Sequence, residues 1–396
     1  MTRNTRLKLI DAVTALFLLW FGSYAYLYSF EIGGVKPLYS YFLLYGTAFM
    51  YALYCSADHR SLIPAANRYV ALLYVWLGAY LIYGGFEFLR STQRPVVVQT
   101  LITLGEMVLF TAVFVALMAE YRRLRIASAI FAVLAIVGAA MNLWDFFIPT
   151  FSEDPGRAAG LYANPNLAGN FIAMAMAAGA ARTPYRLRWP YVLFCGVGVV
   201  VSFSREAWIA WGIAVIWLAW DGQLSKARDF RLACIFAIVM AGGVTLGLFS
   251  GNIGNIVAET GLNSYLTPVT AARLGIGTAT SLSGYTADLR EQAVYVSLAA
   301  AARHPWLGYG LGYTREWRFP AGPQNMYLLF LVEGGVAGLF LYLLLMSLLW
   351  SAGVESGRAL TLQIAVASFF SHNLLDQPGI LLILAFIVAE GAVGRT

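Results

Sequence analysis

The sequence predicts an all-α integral membrane protein of about twelve transmembrane helices, interrupted once by a large, partly helical loop on the outer side. Two observations carry that expectation. Hydrophobic residues make up 60% of the 396 and charged residues only 12%, about half the charge content of a soluble domain. The apolar residues also gather into runs of roughly 20, the length of helix that crosses roughly 30 Å of hydrocarbon. Most of these runs lack the polar face that a helix on a soluble core carries.

Spans are expected near 9–29, 39–56, 69–86, 98–119, 126–148, 165–181, 189–204, 206–220, 232–250, 324–350, 360–374 and 378–394. The first follows a basic stretch, Met1 to Lys8, in the manner of a secretory signal. It is too long for one and lacks a small-residue cleavage site, so it reads as a span. The organisation that follows is nine spans in 1–250, the large loop at 251–323 and three spans in 324–396. The cysteines Cys55, Cys195 and Cys234 lie in or beside spans and imply no disulfide framework.

Charge sets the orientation. Arg3, Arg6, Lys8, Arg122, Arg123, Arg125, Arg182, Arg186, Arg188, Lys226, Arg228 and Arg231 all fall on one side of this arrangement. The short loops of the other side hold only Lys36, Arg90, Arg94, Arg157 and Arg205. The positive-inside rule then predicts cytoplasmic N- and C-termini. The net charge of +6 is mostly topological rather than a sign of anionic partners.

Two segments depart from simple spanning. Between Arg188 and Asp221 both flanks are basic, so the chain must cross and return with about 16 residues, or about 24 Å of helix, per pass. The tip, Ser202-Phe203-Ser204-Arg205-Glu206, should then lie below the outer headgroups. An arginine there either snorkels to the interface or lines a recessed cavity. The second segment, 251–323, is glycine-rich and polar, with a helical stretch from Tyr285 to Arg303. Its length points to function, with a passive lid or assembly surface as the competing reading.

The outer face has an excess of arginine: Arg157, Arg205, Arg273 and Arg290, with Arg303, Arg315 and Arg318 nearby in sequence. Guanidinium forks bind phosphate oxygens bidentately and stay charged at any relevant pH. Trp306, Tyr309, Tyr313 and Trp317 suit stacking on sugar rings, or equally an interfacial aromatic belt. The histidines, His59, His304 and His372, show no zinc spacing. Gly308-Tyr309-Gly310-Leu311-Gly312 lacks the lysine of a phosphate loop, and no βαβ unit surrounds it. No metal, cofactor, nucleotide or nucleic acid is expected, and energy would come from an activated substrate. Glu106, Glu333 and the His372-Asn373 pair with Asp376 are the intramembrane polar candidates, for function or for helix pairing.

Four stretches resemble the O-antigen ligase and polymerase family of bacterial membrane glycosyltransferases. Gly160-Leu161-Tyr162-Ala163-Asn164-Pro165-Asn166-Leu167-Ala168 resembles the family's glycine-leucine…asparagine-proline-asparagine start of a span. Ser204-Arg205-Glu206-Ala207-Trp208 resembles its Ser-Arg-Gly-Ala turn, with glutamate in place of glycine. Arg290, followed by His304-Pro305-Trp306-Leu307-Gly308-Tyr309-Gly310-Leu311-Gly312, resembles its arginine-led loop helix and the glycine turn after it. Gln324-Asn325-Met326-Tyr327-Leu328 with Glu333-Gly334-Gly335 resembles its His-Asn-x-Tyr-Leu…Glu-x-Gly helix start. Together they cover residues 157–345.

The resemblance implies a GT-C-like membrane glycosyltransferase in the bacterial inner membrane, its large loop periplasmic. It implies a glycan donor on undecaprenyl diphosphate and a glycan or glycolipid acceptor, among membrane lipids. Arg205 and Arg290 would hold the diphosphate, with Arg157 and Arg273 as further ligands. Asn166, Arg303, His304, Asn325 and Tyr327 would line the substrates, and Gln324 would stand at the acceptor. The family's ligases carry a histidine at Gln324 as the proposed base. Glutamine cannot take a proton, so His304, Glu333 or His372 replaces it, or departure of the diphosphate dominates. That departure shifts weight from lipid A-core ligation in lipopolysaccharide assembly towards a polymerase extending lipid-linked repeats. A transporter or flippase for an anionic amphiphile, and a scaffold without turnover, are the rivals from other classes.

Overall fold

The computed structural model describes residues 3–57, 67–90, 94–150, 152, 156–162, 164–221, 224, 282–317, 322–354 and 356–394. The expected span at 232–250, most of the large loop and the candidate Arg273 lie outside these residues. Of Arg290 only the backbone is described.

The chain passes through α1 (Arg3–Gly22), α2 (Ala25–Gly33), α3 (Pro37–Ala57), α4 (Arg68–Arg90), α5 (Arg94–Met118) and α6 (Tyr121–Phe147). It continues through α7 (Pro165–Gly179), α8 (Arg188–Val200), α9 (Arg205–Trp220) and α10 (Leu282–Arg303). The last helices are α11 (Tyr313–Glu316), α12 (Met326–Ala352), α13 (Gly357–Ala367) and α14 (Pro378–Val393). No strand occurs among the described residues. α10 covers the helical stretch expected at 285–303.

Among the described residues, α4, α5, α6 and α12 are each long and apolar enough to cross a membrane. The expected first span is instead a bent pair: α1 and α2 meet at 70°. The break is at Tyr24, buried, left-handed at φ 59° and donating its hydroxyl to Gln377 Oε1 at 3.0 Å. Other expected spans are shorter helices. α8 and α9, of 13 and 16 residues, reach about 20 and 24 Å at 1.5 Å per residue, as the crowded return required. α13 stops at Ala367, short of the expected 374, where the chain turns polar at Ser371-His372-Asn373.

Large apolar side chains stand outward along the long helices. On α4, Val75, Ile82 and Leu89 are 69%, 76% and 79% exposed. Contiguous apolar surface of this kind is tolerated where lipid covers it. The protein is a multi-pass, all-helical membrane protein.

The chain forms two compact units. One comprises residues 1–130, 295–361 and 368–396; the other comprises 131–294 and 362–367. In the first, α14 is buried along nearly its whole length and packs on α1, α4, α5 and α12. An apolar sequence with no polar stripe has no face to offer water and suits a central position. Its one acid, Glu390, accepts from Ser356 N and Oγ and from Gly357 N at 3.3, 2.9 and 2.8 Å, holding the start of α13.

In the second unit α7 is central, against α8 and α9. Small residues let these helices approach closely. A Cβ on Gly169 would meet Ala207 Cβ at 2.6 Å, and one on Gly198 would meet Ala139 Cα at 2.5 Å.

Candidate active site

In the second unit the polar groups collect where α7 and α9 begin. Asn164 caps α7, its side chain accepting from Asn166 N and Leu167 N at 2.9 and 3.2 Å, with Pro165 at the first helical position. Proline is favoured there because that amide has no helical partner. Asn166 turns its Oδ1 to Arg157 Nη2 at 2.7 Å. Arg157, buried to 5% exposure, also donates from Nε to the carbonyl of Ser202 at 3.2 Å. The Arg157 fork thus ties the start of α7 to the turn before α9.

That turn is tight. Phe203 is left-handed at φ 50°, and Ser204 stands at the start of α9 with its Oγ buried and without a hydrogen-bond partner among the described residues. Arg205 opens α9 with an exposed side chain. Glu206, buried, accepts from Asn170 Nδ2 at 2.8 Å, so the glutamate that stands where the family has glycine is used as a bridge to α7. Asp145 of α6 accepts from Thr150 N, Ala159 N and Gly160 N at 2.8, 2.8 and 3.1 Å. Gly160 adopts φ 50°, and a Cβ there would meet Asn142 Oδ1 at 2.5 Å. Two helix starts, α7 capped by Asn164 and α9 without a side-chain cap among the described residues, therefore stand with two arginines on one scaffold, where the helix dipoles favour negative charge.

In the first unit the centre is a break in α12. Gly335 leaves the helix at φ 61°, ψ −156°, freeing carbonyls on one side and amides on the other. The segment Pro305–Gly310 fills the break. Tyr309 N and Gly310 N donate to the carbonyls of Val332 and Glu333 at 3.0 and 2.9 Å, while Val336 N and Ala337 N donate to Pro305 O and Trp306 O at 2.7 and 3.2 Å. The approach is close enough to require glycine: a Cβ on Gly308 would lie 2.3 Å from Glu333 O, and one on Gly335 2.4 Å from Trp306 C. Arg90, held by Glu87 at 2.7 Å, donates to Leu307 O at 3.2 Å.

Glu333 completes the docking. Its Oε2 accepts from Gly312 N at 3.0 Å, and its Oε1 from Thr314 N and Oγ1 at 3.1 and 2.6 Å. The carboxylate therefore fixes the start of α11 and the direction of Arg315, one residue further on. Beside it lies a cavity of about 280 Å³ whose polar wall is Thr100, Thr103, Thr314, Arg315, Glu333, His372 and Asp376, with Leu104, Met107 and Phe330 among its apolar residues. Arg315 faces Asp376 at 3.6 Å, both partly exposed. Burial and the Arg315 guanidinium hold His372 below its ordinary 6.5.

The other expected residues sit as follows. Gln324 is half-buried in a left-handed turn at φ 52°, next to the cavity residues Gly322, Pro323 and Met326. The Asn325 side chain accepts from Leu328 N at 3.1 Å, capping α12. Tyr327 packs its ring on Tyr342 and Phe369. Arg303 is the exposed last residue of α10. His304, exposed, stands edge-on to Tyr309, which stacks on Tyr313 at 4.2 Å. Glu106 lies half-buried on α5.

The structure thus gathers Arg157, Asn166 and Arg205 in the second unit, and Glu333 and His372 around the cavity of the first. His304 and Tyr327 do not line that cavity. Sequence reasoning named Asp376 among the intramembrane polar candidates and Arg315 among the outer arginines without assigning either a role, counted Arg90 only towards topology, and missed Glu87 and Asp145 altogether. The signal for Arg315 was its place three residues after the glycine turn.

An all-helical, multi-pass membrane protein with polar groups concentrated at helix starts and one helix break is the class these features define. Residues 190–343 match the O-antigen ligase family model, which bears out the resemblance to the O-antigen ligase and polymerase family. That family implies glycosyl transfer in general, with lipid-linked glycans and glycolipids as the class of substrate. The matched segment takes in Arg205, Arg290, Gln324 and Glu333 and stops short of Arg157, Asn166 and His372. No curated protein matches the chain.

Proposed function

We propose that the protein moves a glycan from undecaprenyl diphosphate to an acceptor at the periplasmic face of the bacterial inner membrane, as an O-antigen ligase working in lipopolysaccharide assembly on lipid A-core. The observation that carries this reading is the Arg157–Asn166–Ser202 anchor with Arg205 at the adjoining start of α9. Guanidinium groups and helix-start amides are complementary to a diphosphate. Arg205 and Arg290 hold it, with Arg157 and Arg273 assisting. The acceptor hydroxyl attacks the anomeric carbon, and the diphosphate leaves with the bonding electrons. Arginine neutralisation of that charge is the main catalytic contribution and needs no metal. Gln324, Asn325 and the polar cavity beside them serve the acceptor, with Asn166, Tyr327, Arg303 and His304 at the substrates.

The reading carries its topology with it: both termini cytoplasmic, about twelve spans, and a periplasmic loop at 251–323 dividing 1–250 from 324–396. A polymerase extending lipid-linked repeats is the second reading, favoured by the neutral Gln324 where a ligase carries histidine.

Reconstitution with a lipid-diphosphate-linked glycan donor tests this. Arg205→Ala and Arg290→Ala should each abolish transfer, an effect of about 100-fold or more for a lost charge-stabilising group. Full activity in both variants overturns the site. Product separation on a gel distinguishes ligated from extended glycan, and movement of substrate across vesicles without covalent change would mark a transporter instead.

A further inference from the structure

We propose that His372 is the general base that accepts the proton of the acceptor hydroxyl in this chain. The proposal rests on the glycosyl-transfer reading above and deepens it at one position, since Gln324 is neutral at every pH and cannot take a proton.

Besides Arg315, four titratable groups line the cavity beside Gln324: Glu333, His372, Asp376 and the Tyr80 phenol, which carries its own proton and cannot act as the acceptor near neutral pH. Glu333 has both oxygens committed to Gly312 and Thr314, and moving a proton onto it would release the start of α11. Burial raises the Asp376 carboxyl above its ordinary 3.8 and the Arg315 guanidinium offsets this only in part, but that carboxylate is engaged by Arg315 at 3.6 Å, and protonating it would give up the ion pair. His304 stands outside the cavity against Tyr309. His372 remains. It is half-buried, and neither ring nitrogen has a hydrogen-bond partner among the described residues. Its Nε2 faces the loop before Gln324 at Gly322, where an added Cβ would come within 3.1 Å of that nitrogen.

The groups around it set its charge. Arg315 from α11 opposes the imidazolium. Asp376 from the turn after His372, Glu333 from α12 and the Tyr80 phenol from α4 also line the cavity. Burial leads and Arg315 follows in holding His372 below 6.5, so the ring is neutral and able to accept a proton at pH 7. In the step itself the acceptor oxygen bonds to the anomeric carbon as the bond from that carbon to the phosphate oxygen breaks. The electron pair leaves on the lipid diphosphate. The hydroxyl proton passes to His372, and the imidazolium returns it to water.

The test is the pH dependence of kcat/KM in proteoliposomes, with a lipid-diphosphate-linked glycan as donor. A base must be neutral, so the wild-type rate should fall as pH drops through a break below 6.5. His372→Ala should lose about 100-fold or more in kcat, the usual worth of a positioned base, with donor KM little changed. Its acid limb should flatten, and added imidazole should restore part of the rate. Arg315→Gln removes a cation that disfavours protonation, so its break should move to higher pH. A His372→Ala rate and acid limb equal to wild type, or an unmoved break in Arg315→Gln, overturns the assignment. Absence of transfer by the wild-type protein instead overturns the glycosyl-transfer reading, and His372 as its base falls with it.

Discussion

The start of α7 and α9 in one unit and the break of α12 in the other meet the same difficulty by different means. In both, backbone amides and carbonyls are released from helical bonding within a protein that has little water to offer them, where each unmet group costs free energy. Around α7 and α9 side chains meet the demand. Asn164 takes two amides, Asp145 takes three, and Arg157 donates to the Ser202 carbonyl. At α12 the demand is met by another stretch of backbone, Pro305–Gly310, laid into the gap. The side-chain solution depends on chemical identity and tolerates small shifts. The backbone solution depends on distance and tolerates no added atom. Substitutions should therefore act in different ways in the two regions.

The largest effect is expected at the break. Gly335→Ala asks a residue with a Cβ to adopt φ 61°, ψ −156° within 2.4 Å of the Trp306 carbonyl carbon. Strain of that backbone region and overpacking each cost about 1–3 kcal/mol. The variant should lose several degrees of Tm in detergent or fail to accumulate. A Gly335→Ala protein with wild-type Tm would mean that the docking of 305–310 is loose and the contrast between the regions false. Next in size is Asp145→Ala, which strips three amides of their acceptor at about 1–3 kcal/mol for each group left buried and unmet. Asp145→Asn, keeping one oxygen, should fall between it and wild type in thermal unfolding.

Glu333→Gln probes the boundary of the two strategies, because here a side chain secures the backbone docking. One carboxylate oxygen becomes an NH2 group facing a donor, at a cost of about 1–3 kcal/mol. Transfer activity measured below the variant's Tm should stay within a few-fold of wild type. A 100-fold loss of activity with Tm unchanged would make Glu333 a reacting group rather than a clamp.

How far the sequence revealed these regions follows from the same contrast. The helices were legible because an apolar run of sufficient length favours helix, and the short pair α8–α9 was legible because little chain lies between its basic flanks. The bend at Tyr24 was not, since it depends on a hydroxyl reaching Gln377, 353 positions away. The glycines at 308, 310, 312, 334 and 335 stood out as a motif. That two glycine stretches interlock through backbone could not be read from either alone. Glu333 drew attention as an intramembrane acid, but its three donors came from a loop that the sequence left unpaired with it. Asp145 escaped notice because its donors, Thr150, Ala159 and Gly160, have no side-chain signature. The Arg157–Asn166 pair was visible as two separate candidates, and the structure makes them one anchor.

The smallest expected effects come from the two capping asparagines, and they sharpen the comparison most. Asn164 caps α7 through two amides, whereas Asn325 caps α12 through one, Leu328 N, while Met326 N goes instead to the Ser368 carbonyl at 2.8 Å. Replacing a capping asparagine by alanine typically costs about 1 kcal/mol. Asn164→Ala should reach that value, and Asn325→Ala should fall below it because its helix start has a second source of support. If Asn325 also serves the acceptor, its variant should lose more activity than stability, with acceptor KM rising, while Asn164→Ala loses both together. Equal loss of Tm with unchanged acceptor KM in Asn325→Ala would confine that residue to capping. The polar groups at the start of α12 would then be as structural as those that hold α7, and the acceptor would have to be sought deeper in the cavity, towards Arg315 and His372.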